Sequence, residues 1–572
     1  MRSEGNTMPA HTVLGRFLEL AAEEPDAPTL MEKRRGRWGS WSRRELSQRI
    51  ADVVEILEGL SLPADGVVLM AAEDRVDWVV LDLAAQAVGQ RVCAVPSDLG
   101  EQALRRAIEL TDPALIVVTG QVAGDQVLEA MDAVGGRDRR LLDIGPANNQ
   151  PAHDPRVVKL ADLLPETPGD DASRLSDRLS AFDGGSIAVV ALGTAAEAGG
   201  DPVLLDHASL LAGAEAVIGG VGLDASDLTL SFRPLADPTD RTTTLYAALL
   251  SGSRLALPES RGAVQAAMYE VAPTYLHVTR RWLDQVAFAV WGRLTNSRGI
   301  KGLLGRHWTA KMGRGESLHG VFTKYAVRFP VIEKLGLHRA RTIVVSGSSP
   351  GHDERGFVAS LGLPVRPAYA LSEAGGILTL ADGLRGEVGA CGQALPGVQL
   401  RVEDDEVVVA GELITGGELI TGDHGRIDDE GLVLLGRRGD VLHLPDGRTI
   451  EGLPLEIALR SSLFIREAVV NADPDTGSLT VTVELIRESV ERWALRRDLT
   501  FATFRSLASM PEVIEMVRGE VTERLQGLDI RIEPDVRVLD VSLEELPGAL
   551  TASGRVRGSV MERAGTAKVG VA

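Results

Sequence analysis

Between residues 41 and 119 the chain switches repeatedly between two hydrophobic periods, and this alternation limits the folds open to it. The segment WSRRELSQRIADVVEILEGL carries Leu46, Ile50, Val53 and Leu57 at helical spacing behind Ser42, a residue type that caps helix N-termini. GVVLMAA (66–72) is a short apolar run, the pattern of a buried strand. RVDWVVLDLAAQAVG returns to helix and stops at Gly89. RVCAVP is a strand ended by Pro96, EQALRRAIEL a helix closed by Asp112-Pro113, and ALIVVTG a further strand. Strands separated by helices imply right-handed crossovers and a largely parallel sheet. Residues 136–185 are rich in Gly, Pro, Asp and Asn and are expected to be mostly loop, with the alternation resuming at Ile187.

Beyond about residue 395 the texture changes. VQLRVEDDEVVVAGELI, RIDDEGLVLLGRRGD and VLHLPDGRTI are short strands joined by Asp/Gly turns. From 452 come a helix (LPLEIALRSSL), a strand pair around REAVVNADPDTGSLTVTVEL, and further helices. The fold class is therefore α/β. A large N-terminal domain (1–436) holds mostly parallel sheets flanked by helices, followed by a small α+β C-terminal domain (437–572). Residues 411–416 and 417–422 both read GELITG, a duplication placed within a loop or hairpin because two hexamers are too short for a repeat fold.

Composition excludes several classes of function. The net charge is −21, from 60 basic and 81 acidic residues, so neither nucleic acid nor an anionic membrane is expected as the main partner. The two cysteines, Cys93 and Cys391, lie far apart and lack metal-ligand spacing, which fits a reduced, cytoplasmic setting. No apolar run is long enough for a transmembrane segment, and MRSEGNTMPAHTVLG has no signal-peptide core. The ten histidines form no metal motif, no G-x-S-x-G elbow is present, VVSGSSPG lacks a following lysine, and AVIGGVGL lacks dinucleotide spacing.

LITGDHGRIDDEGLVLLGRRGDVL (419–442) resembles the TGD…GR-x-x-D signature of the adenylate-forming superfamily: acyl-CoA synthetases, adenylation domains and luciferases. A carboxylate at Asp423 can accept both ribose hydroxyls of a nucleotide, and Arg437 can donate to ribose or phosphate through a permanently charged fork. VVSGSSP (344–350) resembles the strand and turn that line the adenine pocket, which implicates Ser346, Gly347, Ser348 and Ser349. AYALSEAGG (368–376) resembles GYGLTET and brings in Tyr369, with Ser372 implied at a phosphate and Glu373 as a ligand of Mg²⁺. The runs 231–260, 271–290 and the C-terminal DLTFATFRSLASMPEV…GALTASGRVRG look like the long-chain fatty acyl-CoA synthetase branch. The resemblance covers residues 10–563 and implies two half-reactions: a carboxylate and MgATP give acyl-AMP and pyrophosphate, and coenzyme A then displaces AMP. Cofactors implied are ATP, Mg²⁺ and coenzyme A. A fatty acid or other carboxylate is the implied substrate, with oligomeric state and peripheral membrane contact left open.

The chain departs from this pattern where phosphate chemistry is concentrated. VVALGTAAEAGGDPVLLDHASLL (189–211) stands where the family carries a Thr/Ser/Gly-rich loop with a lysine, yet Leu160–Ile300 contains no lysine at all. Gly193 and Thr194 remain, Thr194 as a phosphate and Mg²⁺ contact. Ala191, Ala195 and Ala196 have lost hydroxyls or glycine, and Asp201 or Val203 falls at the lysine position. An acidic group there repels a triphosphate. TASGRVR places Arg555 where the family has its C-terminal catalytic lysine, Asp237 replaces the histidine of PLAH, and about 20 residues are missing between the two GELITG copies. The hinge position after the ribose arginine is Gly439.

Three readings follow. One is a ligase with Arg555, Glu373 and Thr194 in catalytic roles and weakened or altered activity. Another is a relative that binds nucleotide, acyl chain or coenzyme A without turnover and serves a partner. The last is a purely interacting fold. Losing one preorganised contact to a transition state costs about 10²–10³ in rate, which favours reduced adenylation.

Overall fold

The computed structural model describes residues 11–135, 139–146, 154–166, 175, 178–179, 182–192, 201–296, 328–347, 350–384, 386–437, 441–443, 448–473, 478–528, 530, 532–546, 549, 556 and 560–561. After a helix over Val13–Glu23 comes the antiparallel pair β1 (Pro28–Arg34) and β2 (Arg37–Ser42). Helix α1 (Arg43–Gly59) follows with the expected cap: the Ser42 side chain accepts from Glu45 N, and Glu45 accepts from Ser42 N at 2.7 Å. Strands β3 (Val67–Ala71), β4 (Arg91–Ala94) and β5 (Leu115–Val118) alternate with α2 (Val76–Ala87) and α3 (Glu101–Thr111). Asp112, at φ 40, closes α3 in the left-handed conformation.

The segment expected to be mostly loop contributes two more parallel strands, β6 (Arg140–Asp143) and β7 (Val157–Lys159). They are only four and three residues long, too short for a period to stand out among turn formers. With β8 (Ile187–Ala191) and the antiparallel β9 (Val203–Asp206) they complete a seven-stranded sheet in the order β7-β6-β5-β3-β4-β8-β9.

A second sheet is built from β10 (Leu228–Leu230), β11 (Arg254–Leu257), β12 (Tyr275–Thr279), β13 (Thr342–Ser346), β14 (Val365–Leu371), β15 (Gly376–Leu380), β16 (Ala390–Ala394), β17 (Val398–Glu403), β18 (Glu406–Gly411), β19 (Glu418–Asp428) and β20 (Gly431–Arg437). With β1 and β2 at one edge it has thirteen strands, parallel through β1 and β10–β14 and antiparallel from β15 to β20. One core cluster joins the sheets: Val68, Met70 and Val117 of the first, Leu30, Leu255 and Leu257 of the second, and α2 between them. The two hexamers sit in one hairpin but differ in environment. Leu413 and Ile414 of the first are buried in the turn, whereas Ile420 of the second is 65% exposed on β19.

The small C-terminal domain holds the hairpin β21 (Val441–His443) and β22 (Thr449–Glu451), then a three-stranded sheet of β23 (Ile465–Ala472), β24 (Leu479–Leu485) and β25 (Asp535–Val538). Helices α6 (Gly452–Arg460) and α7 (Pro511–Gln526) cover its core. It meets the large domain through charge. Helix α5 (Arg280–Asn296) presents Arg280 to Glu467 and Arg281 to Glu484, the latter two-pronged at 3.0 and 3.2 Å. All four residues are buried, and Arg460 and Ser542 also approach the same carboxylates.

Two buried groups in the large domain give testable consequences. Asp82 on α2 bonds Arg241 at 3.2 Å, the Tyr246 hydroxyl at 2.7 Å and Gln86 at 3.1 Å, all out of water. Removing one partner strands a buried charge, so Asp82→Ala is expected to cost about 3–5 kcal/mol of stability. Denaturant midpoints check this, and a loss within about 0.5 kcal/mol, as at an open surface, contradicts it. His207 is 3% exposed, and burial pulls its imidazole down to about 4 from the usual ~6.5. Between those values the unfolded chain binds the extra proton, so stability is full above pH ~6.5 and falls as pH drops through the window. The expected loss is of order 3 kcal/mol. His207→Gln should flatten that slope, as read from unfolding midpoints at stepwise pH.

Candidate nucleotide site

Strand β14 ends at Leu371, turns through the short helix Ser372–Ala374 to Gly375 at φ 63, and reverses into β15. Ser372 and Glu373 sit half-buried in this turn, and the Glu373 carboxylate has no hydrogen bond or ion pair among the described residues. Two residues upstream of the strand's end, Tyr369 donates its hydroxyl to Asp423 Oδ2 at 2.6 Å. Arg437 Nε donates to the other oxygen, Oδ1, at 3.1 Å. Asp423 and Arg437 are cross-strand neighbours on β19 and β20, so strand register sets this pair. Asp423 is 5% exposed, while the Arg437 side chain is 39% exposed. The carboxylate is thus fixed by one buried phenol and one guanidinium that reaches solvent. Burial, with Asp423 next to it, pushes the Tyr369 phenol well up, so it stays a hydrogen-bond donor.

This arrangement can take a vicinal diol. Each oxygen of Asp423 has one protein donor and keeps further lone-pair capacity, and Arg437 adds cationic donors beside it. Glu373 offers one unpartnered oxygen ligand close in sequence to Tyr369. Among the described residues no group of three or more His, Cys, Asp or Glu could hold a metal ion. A single carboxylate such as Glu373 can serve Mg²⁺, which takes one or two carboxylates and completes its shell with substrate phosphates and water.

Ser346 ends β13, and its hydroxyl lies in a buried polar network. It accepts from Arg233 Nη1 at 3.3 Å and pairs with His277 Nε2 at 2.8 Å. His277 Nδ1 meets Asp240 Oδ1 at 2.8 Å, and Arg233 reaches Asp240 at 2.7 Å and Asp237 at 3.2 Å. Burial holds the Asp237 carboxyl up, and its Oδ1 caps the following turn by accepting from Thr239 N. With its hydroxyl engaged in this network, Ser346 is followed by Gly347 at φ 91, a left-handed conformation that favours glycine. Reading residues singly picked out Asp237 but missed Arg233, Asp240 and His277. The signal was three charges within residues 233–240 of an otherwise apolar block. Gly193, Thr194, Ser348, Ser349, Gly439 and Arg555 lie outside the described residues.

Comparison with known proteins gives a consistent answer. A family model described as AMP-binding enzyme matches residues 17–423. The long-chain-fatty-acid–CoA ligase FadD15 of Mycobacterium bovis is 28% identical over 286 residues, which is 44% of this chain and 46% of that protein. Long chain acyl-CoA synthetase 8 of Arabidopsis thaliana is 22% identical over 380 residues, 56% of this chain and 52% of the relative. The chain thus spans about half the length of the curated relatives it matches. Among solved structures, the anthranilate CoA ligase AuaEII with anthranoyl-AMP superposes with a TM-score of 0.70 at 14% identity, covering 99% of both chains. The A domain of carboxylic acid reductase from Segniliparus rugosus, in complex with AMP, has a TM-score of 0.70 at 16% identity, covering 97% of this chain and 93% of that one. At such identities the likeness shows the fold: a large N-terminal and a small C-terminal domain. From the family model over most of its length, the chain belongs to the AMP-binding enzyme family.

Proposed function

We propose that the chain is an adenylate-forming acid–thiol ligase acting on a fatty carboxylate, with adenylation slowed by its rebuilt phosphate segment. The observation that carries this reading is the Tyr369–Asp423–Arg437 clamp, in which strand register aligns a buried acceptor with a solvent-reaching cation. In this reading Asp423 takes the ribose hydroxyls and Arg437 donates beside them. Ser346, Gly347, Ser348 and Ser349 line the base, and Gly193, Thr194 and Ser372 meet phosphate. Glu373 and Thr194 hold Mg²⁺, and Arg555 supplies positive charge from the C-terminal domain, which begins at residue 437. The substrate carboxylate attacks the α-phosphorus of ATP and pyrophosphate leaves. The thiol of coenzyme A then attacks the acyl carbon and AMP leaves. The names of the curated relatives support a long-chain acid. The acidic charge and reduced-type cysteine usage support a cytoplasmic setting.

A second reading, binding without turnover, is favoured by one sequence observation: no lysine occurs from Leu160 to Ile300, across the whole phosphate segment. Pyrophosphate release from MgATP, with acids from short to very long, separates the two. The expected result is acid-dependent release about 10²–10⁴-fold below an active homologue, lowered a further ~10²-fold by Asp423→Asn. No release with any acid, from folded protein, would sink the ligase reading for those substrates.

A further inference from the structure

The seven-stranded sheet has a polar recess at the end opposite the carboxyl end of β8. Strand β8 runs from Ile187 to Ala191, so the phosphate segment follows its carboxyl end. The amino ends of β4 and β8, with the start of α4 (His207–Val221), surround a cavity of about 220 Å³. Its walls include Asp65, Gln90, Arg91, Phe182 and His207. By volume it would hold about seven waters, or one small organic molecule.

The groups facing this space are unevenly matched. The Arg91 side chain makes no hydrogen bond or ion pair among the described residues, although its backbone N–H is fixed to Gly66 O at 2.8 Å. A half-buried guanidinium with no counter-ion among the described residues is a planar fork suited to an anion. His207 has a fully covered Nδ1 with no partner. A covered N–H without an acceptor is the costlier choice, so hydrogen-bond logic assigns the proton to Nε2, leaving Nδ1 as the bare acceptor. Phe182 packs edge-on to His207 at 5.8 Å and 67°, fixing the ring and forming an apolar wall. Gln90 has its Nε2 held by Pro63 O at 2.8 Å, and its Oε1 is covered with no hydrogen-bond partner among the described residues. Asp65, at the exposed rim, adds a negative charge that opposes dianions.

We infer that this recess is a binding site for a small monocarboxylate, its carboxylate bridging the Arg91 guanidinium and His207 Nε2–H and its apolar remainder lying on Phe182. The site is separate from the Asp423 clamp, so a ligand here is an effector and is not consumed. Occupancy bears directly on the β8–β9 hairpin that flanks the phosphate segment, because His207 directly follows β9. Asp206, the last residue of β9, caps α4 through Ser209 N at 2.7 Å and donates its N–H to Thr415 Oγ1 at 3.1 Å.

The test uses the full chain with benzoate, acetate and inorganic phosphate as probes, following histidine ring resonances by NMR with His207→Gln to assign the signal. Benzoate should shift the His207 resonance saturably, with a Kd of about 1 mM or below. The affinity should fall at least about tenfold in Arg91→Ala. AMP at saturation should not compete. Arg91→Ala loses no hydrogen bond or ion pair among the described residues and should keep the wild-type unfolding midpoint within about 0.5 kcal/mol, so weaker binding is not misfolding. The inference is overturned if His207 does not respond, if Arg91→Ala binds as well, if AMP displaces benzoate, or if phosphate binds as tightly as benzoate.

Discussion

One buried, charged segment, residues 233–241, ties the helix between the two sheets to the end of β13. Arg241 reaches Asp82 on the helix between the sheets, and Arg233 reaches Asp237, Asp240 and Ser346 at the end of β13. Hydrophobic contact would hold the layers at the right separation but would leave them free to slide. Buried ion pairs fix one arrangement, because each charge is stable only where its partners stand. The consequence reaches the candidate site. Ser346 is held at the end of β13, and the neighbouring β14 carries Tyr369 to Asp423. The small domain is held by the same device, with Arg280 and Arg281 facing Glu467 and Glu484.

Much of the architecture was legible in the sequence because long elements carry their own period. The Ser42 cap, the buried α2 and the strands of GVVLMAA and ALIVVTG are local patterns that tertiary packing reinforces. β6 and β7 were not legible, since three or four residues among Gly, Pro and Asp carry no period, and they become strands only by extending an existing edge. Asp423 and Arg437 were legible as a motif, but their pairing depends on the hairpin register. Tyr369 was placed near the nucleotide, and its hydrogen bond to Asp423 adds the reason that carboxylate is held in one orientation. The buried network of Arg233, Asp240 and His277 escaped because its members come from separate elements and meet only in three dimensions.

The duplicated GELITG shows how little a hexamer determines by itself. One copy buries Leu413 and Ile414 in a turn against the core. The other extends into β19, exposes Ile420 and leads straight to Asp423. The shortened connection therefore still delivers the acidic residue to its partners. The proposed sugar clamp thus stands complete in a chain with no lysine from Leu160 to Ile300.

That clamp is best examined by asking whether it reads a diol. Calorimetric titration of the full chain with AMP and with 2′,3′-dideoxy-AMP compares ligands that differ only in the two hydroxyls Asp423 is proposed to accept. The account predicts saturable one-site binding of AMP and at least about tenfold weaker binding of the dideoxy analogue. Equal affinity for the two, or no binding of AMP by folded protein, would contradict it.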